Sequence, residues 1–210
     1  MPIKCRKICI LGFRSVGKTS LIQQYLNGNF AFNYDPTIEN TYTKILNIRG
    51  QEYEVNFIDT AGQDDTSLYA QSYFLGSHGY IIVYSISNLK SFEVASHIYE
   101  RILRMTGKIQ NLNPDLGSKT ASLPLSNKRD KFTSNFAHTP LVLVGNKMDL
   151  NSQRVISRDM GKTLADSWGA VFFESSAQLN KNVYQIFEAI ILEIEKADGN
   201  FKEKSSCIIT

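Results

Sequence analysis

The feature that most constrains the fold is the stretch Gly12-Phe-Arg-Ser-Val-Gly17-Lys18-Thr19, which directly follows the apolar run Lys7 to Leu11. A short apolar run ended by glycine reads as a buried strand, and Thr19 to Leu26 as the helix after it. The spacing G-x-x-x-x-G-K-[ST] between a strand and a helix describes a loop that wraps a phosphate chain. Its glycines permit the tight path, and the backbone from Arg14 through Ser15, Val16, Gly17, Lys18 and Thr19 to Ser20 turns its N–H groups toward phosphate oxygens. Lys18 would neutralise the outer phosphates, and the Thr19 hydroxyl is the hard oxygen donor that magnesium requires.

The rest of the chain repeats this strand-then-helix rhythm. Tyr42 to Ile48 and Glu52 to Ile58 flank Arg49-Gly50, a hairpin signal, and Tyr53, Val55 and Phe57 alternate with Glu52, Glu54 and Asn56. Further strands are expected at Tyr80 to Ile86, Leu141 to Gly145 and Ala170 to Glu174. Helices are expected at Ser91 to Thr106, Ser157 to Trp168 and Asn182 to Lys196. Such alternation implies crossover connections and an α/β fold whose mostly parallel sheet carries helices on both faces and one antiparallel edge strand. The exception is about 109–139, rich in Asn, Ser, Lys, Asp and Thr and without period. Both flanks resume clean patterns, so it reads as a flexible insertion, placed where a strand begins and away from the ligand end of the sheet.

Composition limits the function classes. With 210 residues and 42% hydrophobic side chains the chain can bury one substantial core, and its net charge of +3 gives no basic stripe for nucleic acid. Its three cysteines form no disulfide framework, in keeping with a reducing compartment. No apolar stretch approaches the roughly 18 residues of a membrane span.

A phosphate cradle does not choose a base. Asn146-Lys147-Met148-Asp149 follows the strand LVLVG and so lies at the ligand edge of the sheet. A carboxylate there accepts hydrogen bonds from the N1–H and 2-amino group of guanine; adenine would leave Asp149 unpaired, which is costly. Asp59-Thr-Ala-Gly62-Gln63 follows another strand, where Asp59 can hold magnesium through water and the Gly62 N–H can meet a terminal phosphate. Glu174-Ser-Ser176-Ala177 follows a third, and its backbone can close a base pocket.

With these motifs and Tyr34-Asp35-Pro-Thr37-Ile-Glu-Asn-Thr, the chain resembles the small GTPases of the Ras superfamily, and within them the Rheb branch, which likewise carries Arg-Ser where Ras has Gly-Gly. The resemblance covers nearly all of residues 5–196 apart from the insertion. It implies a P-loop (Ras-like) fold with a six-stranded sheet, a G domain over 1–196 and a tail over 197–210. It also implies a monomeric switch that binds GTP or GDP with Mg2+. Thr37 would join Thr19 and Asp59 at the metal as part of switch I, Phe30 would pack on the base, and Tyr34 and Asp35 would lie along the nucleotide. Switch II would lie near Gly62 to Phe74. The resemblance further implies a tuberin-type GTPase activator, an exchange factor it does not identify, and a TOR kinase complex as effector.

Gln63 is the candidate to orient the attacking water. Arg14 stands beside the terminal phosphate, as an internal charge or as an obstacle to Gln63; the obstacle is favoured because Ras-like relatives have glycine there. Turnover no faster than the roughly 10⁻⁴ s⁻¹ of unassisted Ras is then expected. Gln178 replaces the family's Lys after Ser-Ala; somewhat lower nucleotide affinity is expected, while the Gln178 stem can still supply the packing. A permanently loaded pseudo-GTPase is the second reading, opposed by Thr37, Asp59 and Gln63; an ATPase or kinase fails on Asp149. The chain ends Cys207-Ile-Ile-Thr210, a C-a-a-X form expected to carry a prenyl group, farnesyl by resemblance. One lipid with only Lys202 and Lys204 nearby implies reversible association with the cytosolic face of endomembranes (lysosome, Golgi, ER) and a cytosolic pool.

Overall fold

A computed structural model describes residues 2–31, 35–63, 73–74, 76–107 and 139–200. Tyr34, most of the switch II span, the insertion apart from Thr139, and Cys207 lie outside the described residues. Six strands, β1 (Lys4–Gly12), β2 (Glu39–Ile48), β3 (Gln51–Thr60), β4 (Gly79–Ser85), β5 (Leu141–Asn146) and β6 (Val171–Glu174), form one sheet in the order β2-β3-β1-β4-β5-β6. Only β2 and β3 pair antiparallel. Arg49 and Gly50 turn that hairpin with φ of 53° and 82°, the doubly left-handed geometry that matches strand twist.

The described helices are α1 (Lys18–Asn27), α2 (Leu89–Met105), α3 (Arg158–Trp168) and α4 (Val183–Ala197). Their limits follow local chemistry. Asn88 accepts the Ser91 N–H at the start of α2 and Ser157 accepts that of Met160 at the start of α3, while Gly28 and Gly169 close α1 and α3 in left-handed conformation. The sequence places every strand and helix within a few residues of these bounds. It does not reveal the 3-10 turn Met148–Gln153.

Connectivity explains where a ligand belongs. From β1 the chain crosses through α1 to the β3 side, whereas from β4 it crosses through α2 to the β5 side. Right-handed crossovers in opposite directions put α1 and α2 on opposite faces; α3 repeats the direction of α2, and α4 packs against α1. The reversal falls between β1 and β4, so the crevice beyond their C-terminal ends is the natural site. All of β4 is buried, as a central parallel strand covered on both sides must be. On the α1–α4 face, Tyr25 stacks on Phe187 at 4.2 Å between centroids and Phe57 meets both rings edge-on, fixing the two helices to β3.

Candidate functional site

The loop from Gly12 to Thr19 leaves β1 at that reversal. Gly12 has φ of 151°, and a Cβ on it would come within 2.2 Å of the Val83 carbonyl oxygen on β4. Gly17 has φ of 98°, and its Cβ would meet Asn146 Nδ2 at 2.4 Å. Both glycines are therefore demanded by backbone conformation and by crowding. The buried Lys18 ammonium donates to the Gly12 and Phe13 carbonyls at 2.9 and 3.0 Å, lying across the mouth of the loop. Burial pulls its pKa down to about 8, opposed by the nearby Asp59 carboxylate. A buried cation whose described hydrogen bonds go to neutral carbonyls is well matched to an anionic ligand.

Beside it, three side-chain oxygen donors converge. Thr19 Oγ1 donates to Asp59 Oδ2 at 2.8 Å and lies 2.9 Å from Thr37 Oγ1. Asp59 is 0% exposed, and its Oδ1 has no hydrogen-bond partner among the described residues. Burial raises the Asp59 pKa, while the Thr19 hydroxyl and Lys18 oppose the rise. Two hydroxyls and a buried carboxylate with a free oxygen form a hard donor set that fits Mg2+.

The two base-side loops are built as one unit. Asn146, 1% exposed, donates from Nδ2 to the Val16 carbonyl at 2.9 Å. Its Oδ1 accepts from Ser175 Oγ at 3.1 Å and Ala177 N–H at 3.3 Å. Its side chain is thus a strut between the phosphate loop and the Glu174–Ala177 loop. Ser176 Oγ donates to Asp149 Oδ1 at 2.5 Å, and the Met148 N–H donates to the Ser175 carbonyl at 2.9 Å. Lys147 takes φ of 67°, and burial lowers its pKa against the pull of Asp149.

Gln63 is held inward. It is 3% exposed, its Oε1 accepts the Gly12 N–H at 2.7 Å, and its Nε2 donates to Thr60 Oγ1 and the Ala61 carbonyl at 2.7 and 2.8 Å. The backbone adds a second tie, from Gln63 N–H to the Gly12 carbonyl at 3.1 Å. With its amide fully engaged under the phosphate loop, this conformation presents no group to a water at a terminal phosphate. Gly62 explains part of the constraint: a Cβ there would lie 2.4 Å from Arg14 Cα and 2.6 Å from Arg14 Cβ. Arg14 is exposed, and its guanidinium rests over the Phe13 ring at 5.5 Å.

Ser15 takes φ of 58° on the exposed outside of the loop, Val16 is buried beneath it, and Ser20 is half-buried in the first turn of α1. Asp35 is exposed, whereas Phe30 packs, partly buried, against the hydrophobic core. Sequence reading passed over Arg154 and Asn182. Arg154 grips the Glu174 carboxylate, and Asn182 Nδ2 donates to the Glu174 carbonyl at 2.8 Å. Neither belongs to a spaced motif, so only three-dimensional proximity identifies them.

Comparison with known proteins agrees with this layout. The Ras family model matches residues 7–121 and 120–196. The chain is 46% identical to the GTP-binding protein Rheb of Homo sapiens over 207 residues, covering 98% of this chain and 97% of that protein. It is 43% identical over 210 residues to the GTP-binding protein Rheb homolog of Drosophila melanogaster, covering 100% of both chains. To the GTP-binding protein rhb1 of Schizosaccharomyces pombe it is 41% identical over 195 residues, 93% of this chain and 90% of the other.

Proposed function

Because the chain belongs to the Ras family, as a Rheb-like small GTPase that hydrolyses GTP, we propose that it is a slow, magnesium-dependent switch between GTP and GDP forms that a partner must help to turn off. The observation that carries this reading is the convergence of Thr19, Thr37 and Asp59 beside the buried Lys18. Thr37 belongs to the segment leading into β2, Thr19 to the phosphate loop and Asp59 to the end of β3, so a ligand shared by all three ties an outer loop to the core.

In this reading the backbone of residues 14–20 holds the phosphates, Lys18 faces the outer ones, and Asp149 with Ser176 and Ala177 reads guanine. Thr19, Thr37 and Asp59 would hold Mg2+, which neutralises charge on the phosphates when bound. Loss of the terminal phosphate removes the contact that keeps Thr37 in place, and the surface around Asp35 to Asn40 changes shape. Slow turnover follows from two features: the Gln63 amide is occupied within the protein, and Arg14 abuts Gly62. Positioning of the attacking water is then left to an activating partner, proposed to be tuberin-type, with a TOR kinase complex as the reader of the GTP form. Cys207 is the proposed prenylation site, giving reversible attachment to the cytosolic face of endomembranes.

The test is single-turnover GTP hydrolysis by the full chain, with and without a tuberin-type activator, for the natural protein and Arg14→Gly. The reading predicts slow unassisted turnover, stimulation by the activator and a faster intrinsic rate in the variant. An unassisted rate that Arg14→Gly leaves unchanged would remove the crowding argument. For the tail, Cys207→Ser should lose the membrane-bound fraction; an undiminished fraction would exclude the lipid.

A further inference from the structure

Behind the base-side loops lies an ion pair that the phosphate and base chemistry does not use. Arg154 ends the 3-10 turn Met148–Gln153, which carries Asp149; Glu174 ends β6, directly before Ser175 and Ser176. The Arg154 guanidinium donates from Nη1 and Nη2 to the two Glu174 carboxylate oxygens at 2.5 and 3.1 Å. The remaining donors are also directed. Nε reaches Asn151 Oδ1 at 2.9 Å within the Asp149 turn, and Nη1 reaches the Ile156 carbonyl at 3.1 Å. Side-chain exposure is 22% for Arg154 and 8% for Glu174, so water screens the pair little.

The surroundings make the clamp rigid. Tyr84 is fully buried, and its hydroxyl has no hydrogen-bond partner among the described residues. That hydroxyl would lie 2.7 Å from a Cβ on Gly145 and 2.3 Å from one on Gly161, so its ring fills the space between β5 and α3. Asn182 holds the Glu174 carbonyl from the other side. One end of the fork is therefore fixed to the turn that bears Asp149, and the other to the strand end that delivers Ser176. Ser176 Oγ in turn occupies one Asp149 oxygen at 2.5 Å, which sets the rotation of the carboxylate.

We propose that Arg154 is a positioning residue for base selectivity: its fork onto Glu174 sets the spacing between the Asp149 turn and the Ser176 loop, and so the aim of the Asp149 carboxylate at the purine 2-amino group. The proposal rests on Asp149 as the base-reading residue. Recognition that depends on two hydrogen bonds to one carboxylate is sensitive to small displacements, so loosening this support should cost selectivity before it costs phosphate binding.

The experiment uses the full chain loaded with GDP or with inosine diphosphate, which lacks the 2-amino group, and measures both dissociation rates with Mg2+ present. The natural protein should hold GDP longer than inosine diphosphate. Arg154→Ala should release GDP about tenfold faster, the scale of one lost charge-assisted hydrogen bond, while changing inosine diphosphate release much less. Arg154→Lys, which keeps the charge without the fork, should recover thermal stability but leave the two rates close together. Asn151→Ala alters an exposed partner and keeps the fold, and should narrow the ratio in the same direction. Equal acceleration of both nucleotides in Arg154→Ala, together with an unchanged ratio in Asn151→Ala, would reduce the pair to a structural brace and overturn the proposal. Asp149→Ala distinguishes the other failure: if it preserves the ratio, the base-site reading itself is wrong.

Discussion

Asn146→Ala is the perturbation whose cost can be worked most directly from the structure. The amide makes three contacts, to the Val16 carbonyl at 2.9 Å, Ser175 Oγ at 3.1 Å and Ala177 N–H at 3.3 Å. Neutral hydrogen bonds contribute about 1 kcal/mol each, so their joint loss costs about 3 kcal/mol, the low end applying if water reaches the freed groups. The phosphate loop and the base loop then lose the side chain that couples them. Nucleotide that bridges both loops should dissociate roughly a hundredfold faster. Release of a fluorescent GDP analogue into excess unlabelled GDP measures this, and the melting temperature of the loaded protein should fall in parallel. Asn146→Asp keeps the acceptor oxygen but places a carboxylate against the Val16 carbonyl, so it should be at least as damaging. A release rate within about twofold of the natural protein for Asn146→Ala would refute the strut.

Four further outcomes follow from the same geometry. Gln63→Leu should lower the melting temperature, because the Gly12 N–H loses its acceptor and the Thr60 oxygen its incoming donor, yet change unassisted GTP hydrolysis by less than about threefold; a hundredfold loss would mean that the side chain leaves its buried position during the reaction. Gly161→Ala should lower the melting temperature by several degrees, on the order of 1–3 kcal/mol, since the new Cβ would meet Tyr84 Oη at 2.3 Å and Phe172 Cζ at 2.7 Å, outweighing the gain in helix propensity; an increase would show that the rings yield. Burial alone would raise the Glu195 pKa, but hydrogen bonds and charge from Lys4 and Arg6 hold it below its usual 4.5, so its stabilisation is present above that value and is lost as pH falls through the lowered one. The stability difference between the natural protein and Glu195→Gln should therefore shrink on acidification below 4.5, and a constant difference would contradict the sign. Thr37→Ala should speed GTP release more than GDP release, as competitive exchange would register; equal effects would remove Thr37 from the switch.

Much of this molecule is legible in its sequence because its signals are local. The strand KICIL, the glycine loop and the Arg49-Gly50 turn each follow from backbone sterics or side-chain period, and the structure keeps all three. Thr19, Thr37 and Asp59 stand in three separate segments, each with its own local motif, and sheet topology brings them together. Other features depend on which surface a side chain meets after folding. Gln63 sits in a motif that suggests an outward amide, but the Gly12 N–H and the acceptor side of the Thr60 hydroxyl, whose own proton goes to the Ile10 carbonyl, hold it inward. Phe30, which the resemblance puts against a base, also packs, partly buried, on the core, a contact that no local period of the sequence marks. Arg154 stands in a polar stretch, and its partner Glu174 is twenty residues away, brought to it only when β5 and β6 pair and their following loops pack together.

The central claim is that one carboxylate in the turn after β5 selects the base of a nucleotide whose phosphates lie in the loop after β1. It is tested most directly by competition binding with GDP, ADP and xanthosine diphosphate, in the presence of Mg2+, on the natural protein and Asp149→Asn. The account predicts that GDP displaces bound guanine nucleotide while ADP fails even at thousandfold excess (about 4 kcal/mol). The variant should lose GDP and gain xanthosine diphosphate, whose 2-oxo group accepts from the new amide. Equal competition by ADP and GDP, or undiminished GDP binding in Asp149→Asn, would contradict it.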